Sequence, residues 1–94
     1  MSEFELISII TENGSYSCIF YNNFENEFYI ASDVTIFQFE SVRDGVKDPE
    51  EAFEPYKLQT TTDWYIDDLC REVDGLLDKV KLYRRKQKLN KLIK

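Results

Sequence analysis

Residues 3–21, EFELISIITENGSYSCIFY, decide the fold. Asn13-Gly14 is a dipeptide that readily supplies the positive φ angles of a two-residue hairpin turn, and it divides two runs rich in β-branched and aromatic residues. Residues 3–11 and 15–21 therefore read as paired antiparallel strands. The polar stretch 22–26 makes the next loop, residues 27–31 a third strand, Ser32-Asp33 a tight turn, and residues 34–40 a fourth strand. This is a meander, with residues 56–60 adding a short edge strand.

Period-two alternation places Phe4, Leu6, Ile10, Tyr16, Cys18, Phe20, Phe28, Ile30, Val34 and Ile36 on one set of faces. The opposite parity is also apolar, with Ile7, Ile9, Ile19, Tyr21, Tyr29, Phe37 and Phe39, and a sheet apolar on both sides needs two covers. Only one cover is evident. From Thr61 or Thr62 as N-cap a helix is expected to run to about Ile93, with Asp63, Asp67 and Asp68 near its start and lysines and arginines at its end, as the helix dipole favours. Ile66, Leu69, Val73, Leu76, Leu77, Val80 and Tyr83 form its sheet-facing stripe. Leu82, Leu89 and Ile93 project nearly opposite. A spare sheet face and a spare helix end are both explained by a two-fold homodimer that uses those three residues.

The fold class expected is α+β: a four- or five-stranded antiparallel meander followed by one long C-terminal helix. The 94 residues make one domain, with the meander at 1–42, a connector at 43–62 and the helix with its basic end at 63–94. Within the connector, Asp48 is the N-cap of a short helix, Pro49 its first residue, Glu51 the partner in a capping box and Pro55 its stop.

Composition closes off several function classes. The chain has no histidine, which removes Ser-His-Asp and Cys-His catalysis and the commonest transition-metal ligand. Its three glycines, Gly14, Gly45 and Gly75, form no nucleotide-cradling loop. No enzyme activity, metal or cofactor is expected. Cys18 and Cys70 stand far apart without metal-ligand spacing, as free thiols of a reducing cytoplasm would, and no secretory signal is read. No apolar run approaches the roughly 20 residues of a membrane span.

Charge is the functional clue. Residues 1–78 carry all 18 acids and four bases, a net −14, whereas residues 79–94 carry eight bases and no acid, a net +8. Asp63, Asp67, Asp74 and Asp78 share one face of the expected helix. A four-residue step separates such carboxylates by about 6 Å, resembling the distance between successive phosphates. Like charges at that spacing destabilise a helix by a few tenths of a kcal/mol per pair. Further acids cluster at Asp44, Asp48, Glu50, Glu51 and Glu54, and others, Glu3, Glu5, Glu25 and Glu27, lie on strands or their loops. Phe53, Tyr56, Trp64 and Tyr65 beside them suit a protein interface. The same acids also keep a small protein soluble.

In size, acidity, aromatic content and its helical carboxylate row, the chain resembles the small acidic DNA-mimic antagonists that phages make against host DNA-binding proteins. The resemblance implies a partner: a basic nucleic-acid-binding protein of the host cytoplasm, such as a histone-like nucleoid protein, whose DNA-binding surface is occupied. The candidate partner-binding set is Asp44, Asp48, Glu50, Glu51, Glu54, Asp63, Asp67, Asp68, Asp74 and Asp78. The basic end offers the rival expectation, direct nucleic-acid binding by Arg84, Arg85, Lys86 and Lys88, with neutralisation of the acidic body as its competing role.

Overall fold

The computed structural model describes residues 3–12 and 14–93, without the side chains of Glu12 and residues 91–93. Three strands, β1 (Phe4–Glu12), β2 (Ser15–Asn22) and β3 (Glu27–Val34), are followed by helices α1 (Ile36–Arg43) and α2 (Pro49–Ala52). Strand β4 (Leu58–Thr60) and helices α3 (Asp63–Glu72) and α4 (Leu76–Ile93) complete the chain. The sheet is antiparallel throughout, in the order β1-β2-β3-β4. The α+β class, the meander and a long C-terminal helix are as the sequence predicts. Asn13 of the expected turn lies outside the described residues, while Gly14 takes a φ of 83°.

The expected fourth strand at 34–40 is instead α1. The Thr35 side chain accepts a hydrogen bond from the Gln38 amide, and the Gln38 side chain accepts one from the Thr35 amide, closing a capping box. Once Thr35 nucleates that turn, the run Ile36, Phe37, Phe39 no longer alternates across a sheet. Phe39 turns inward and Phe37 stands 77 % exposed. The fourth strand of the sheet is the short edge strand, β4.

Helices α1 and α2 supply the cover that the sequence reading lacked. Phe39 and Val42 of α1, with Ala52 and Phe53 from α2 and its C-cap, pack on Phe4, Leu6, Ile9, Cys18, Phe20, Ala31 and Val34. On the other face Ile66 and Leu69 of α3 and Leu76, Val80 and Tyr83 of α4 pack on Ile7, Ile10, Ile19, Tyr21 and Phe28. The result is three layers, helices on both sides of the sheet. A bulge between Leu6 and Ser8 reverses the parity of β1, so that Ile10 falls on the face opposite Leu6. The sheet face that motivated a dimer is therefore covered within the chain.

The expected single helix is two. Gly75, at φ +82°, follows the C-cap Val73 in the left-handed conformation that ends helices, and α4 starts at Leu76. An 18-residue helix is about 27 Å long, no longer than the nine-residue strand β1 at about 30 Å. Its inward stripe does not change side after Tyr83; it continues as Gln87 and Asn90. Gln87 donates to the Asn26 carbonyl at 2.7 Å and Asn90 to the Asn26 side chain at 2.7 Å, bonding the end of α4 to the β2–β3 turn. Leu82 and Leu89 stand 62 % and 59 % exposed on the outer face, and the Ile93 side chain lies outside those described.

Helix α2 begins as expected, with Asp48 as N-cap and Pro49 at its first position, but it makes no side-chain capping bond. Cys18 and Cys70 are free thiols, and burial pushes the Cys18 thiol up to about 12. No helix among the described residues is long and apolar enough to cross a membrane.

Candidate functional site

The break at Gly75 divides the expected carboxylate row. Asp63 and Asp67 stay on α3, Asp74 lies in the turn and Asp78 opens α4. Much of the acidic set is then held by the chain's own cations. Asp67 pairs with Arg84 at 2.8 Å, Asp68 with Arg71 at 3.2 Å, Asp44 with Arg43 at 3.0 Å and Glu54 with Lys57 at 3.5 Å. The neighbouring guanidinium of Arg43 holds the Asp44 carboxyl below its ordinary value. Among the described residues Asp48, Glu50, Glu51, Asp63, Asp74 and Asp78 enter no ion pair.

One grouping of unneutralised acids is one the sequence could not assemble. Asp48 and Glu50, at the start of α2, meet Glu3 ahead of β1 and Glu25 in the β2–β3 turn. The neighbouring Glu3 carboxyl, then burial, then the charges of Glu3, Asp48 and Glu25 raise the Glu50 pKa. The Tyr29 hydroxyl donates to Glu25 at 2.5 Å, and this bond, with burial and the nearby Glu27 and Glu3, pushes the Tyr29 phenol up to about 12. A cleft of about 350 Å³ opens beside these acids, walled by Phe4, Tyr29, Phe53, Pro55 and Leu58 with Glu50 at its rim. No group of three or more metal-ligating side chains is placed to hold an ion among the described residues.

The basic end is likewise divided. Arg84 is taken up by Asp67 and by the Asp63 carbonyl, at 3.3 Å. Lys86 reaches across to Glu5 at 3.6 Å and to the Asn23 side chain, lying 5.8 Å from the Tyr21 ring centre. Of the four residues expected to bind nucleic acid, only Arg85 and Lys88 remain outward and unpaired among the described residues; Lys81 shares their face of α4, and Lys79 is exposed on another. Neutralisation of its own body accounts for Arg84 and Lys86.

Glu5 is the hinge of that neutralisation. The Tyr83 hydroxyl donates to it at 2.8 Å and lowers its pKa most; burial opposes, and Asn23 and Lys86 lower it further. A carboxyl depressed in the folded state stabilises above its unfolded pKa, and that contribution is lost as pH falls through the folded value. Tyr83→Phe is accordingly expected to lower Tm at pH 7 and to approach the wild type below about pH 4, the ordinary carboxylate range. Melting curves across pH check this; a gap that widens on acidification contradicts it.

No protein-family model matches the chain, and no curated protein or solved structure matches it.

Proposed function

We propose that this is a non-enzymatic binding protein of the DNA-mimic kind, which presents carboxylates to a basic nucleic-acid-binding protein and occupies the surface where that protein holds DNA. The observation that carries the reading is Glu50 at the cleft walled by Phe4, Tyr29 and Phe53, with the charges of Glu3, Asp48 and Glu25 acting on it and no ion pair to any of the four among the described residues. The raised pKa of Glu50 marks a cost to its ionisation that an approaching lysine or arginine relieves. A DNA-binding surface provides such cations in a fixed array, because phosphate attraction dominates its affinity. The exposed Tyr56, which follows the cleft residue Pro55, adds contact area. The interface centres on Asp48 and Glu50 with Glu3 and Glu25, and the α3 acids, partly neutralised by Arg84 and Arg71, are secondary to it. Such a protein would act in the host cytoplasm.

The test is release of labelled duplex DNA from a histone-like nucleoid protein, followed by anisotropy. Wild type is expected to release the DNA, less effectively as salt rises from about 50 to 300 mM, because the attraction is between partly exposed ions. The combined variant Glu3→Gln, Glu25→Gln, Asp48→Asn, Glu50→Gln is expected to be at least tenfold weaker, and Asp67→Asn, Asp68→Asn nearly unchanged. Equal activity of the fourfold variant and wild type would remove the basis of the proposal.

A further inference from the structure

A second surface lies on the opposite layer of the molecule and carries the opposite charge. Between α3 and α4 is a cavity of about 410 Å³ lined by Lys81, Arg84, Arg85, Gln87 and Lys88, with Asp63 as its one acid. Residues 81, 84, 85 and 88 are spaced i, i+3, i+4, i+7, so four cations share one face of α4. Such like-charge neighbours destabilise an isolated helix, and three of them, Lys81, Arg85 and Lys88, find no acid among the described residues. Arg84 is fixed by Asp67 and the Asp63 carbonyl, so the cavity wall is braced rather than loose.

We infer that this groove is a binding site for the phosphodiester backbone of a nucleic-acid strand. Three features select that ligand. The cations extend about 10 Å along the helix, the reach of consecutive phosphates rather than of a single small anion. The site is concave, formed by two helices, whereas an anionic bilayer would need a convex face on which the exposed Leu82 and Leu89 lie centrally; these leucines do not line the cavity. Trp64, next in the chain to Asp63, is 66 % exposed and offers a ring on which a base can stack. The α2 end and the α4 groove sit on opposite faces of the sheet, so occupying one leaves the other open. The inference is independent of the acidic surface and survives if that proposal fails.

The experiment is anisotropy of the full chain with labelled 12-nucleotide single-stranded DNA and RNA at 50 mM salt, with inorganic tripolyphosphate and phosphatidylserine vesicles as competitors. Wild type is expected to bind the oligonucleotides. The Lys81→Gln, Arg85→Gln, Lys88→Gln variant is expected to bind at least tenfold more weakly, with a salt dependence shallower by about two ions, as loss of three single-strand contacts implies. Asp63→Asn, which removes the opposing carboxylate, is expected to tighten binding several-fold. Lys47→Gln with Lys79→Gln, outside the groove, is expected to stay within twofold of wild type. Circular dichroism establishes that each variant is folded, and Arg85→Gln alone gives an intermediate loss should the triple variant unfold. The inference is overturned by oligonucleotide binding that ignores the triple variant, by no binding at all, by capture on vesicles alone, or by tripolyphosphate binding as tightly as the strand.

Discussion

Replacing Phe53 with alanine is expected to cost about 3 to 5 kcal/mol, the range for removing a buried phenylalanine ring and leaving a cavity. Phe53 is 3 % exposed and sits 5.9 Å from the Phe20 ring, in a tilted contact within the core between the sheet and helices α1 and α2. It joins α2 to the sheet, and a four-residue helix has too few internal hydrogen bonds to stand without such an anchor. A protein of this size has a total stability of about 5 to 15 kcal/mol, so the variant should be near the edge of folding at room temperature. Urea denaturation at low temperature measures it, with the midpoint reduced and the slope unchanged. If α1 and α2 were a loose connector over a face reserved for a second copy, the same change would cost less than about 1 kcal/mol. A loss that small would return the sheet to the dimeric arrangement the sequence suggests.

That contrast marks where the sequence is legible. The strands around Gly14 are readable because turn chemistry and alternation agree there. Residues 34–40 mislead because Ile36, Phe37 and Phe39 fit a strand and a helix equally, and a short apolar run cannot decide between the two. The deciding signal, Thr35 followed three residues later by Gln38, is a capping box that period-two counting ignores. Asp74-Gly75 is likewise a helix stop that apolar periodicity runs through, and it divides the carboxylate row. The inward stripe of α4 misleads for a different reason: after Tyr83 its buried side is amide rather than apolar, so a hydrophobic pattern loses it. The grouping of Glu3, Glu25, Asp48 and Glu50 is set by topology. No local spacing brings residue 3 beside residue 50; the return of the chain over the sheet does.

The amide side of α4 leads to the remaining large effect. Asn26→Ala is expected to destabilise by roughly 2 to 5 kcal/mol, from two sources that are separable. Asn26 is 5 % exposed at φ 58°, and its side-chain oxygen accepts the Tyr21 hydroxyl at 3.1 Å as well as the Asn90 amide. Tyr21 is fully buried, so alanine leaves its hydroxyl without that partner, at about 1 to 3 kcal/mol. A left-handed alanine adds about 1 to 2 kcal/mol that asparagine largely avoids by local hydrogen bonding. Asn26→Gly removes the backbone component and should recover that share. Tyr21→Phe in the Asn26→Ala background removes the orphaned hydroxyl and should recover the other, since deleting both partners of a buried bond is nearly neutral. Because Gln87 and Asn90 meet the same turn, hydrogen exchange at the last turns of α4 should accelerate more than exchange in β2. A uniform acceleration, or a double variant no better than Asn26→Ala, would mean that α4 is held by Leu76, Val80 and Tyr83 alone and that the amide stripe is incidental.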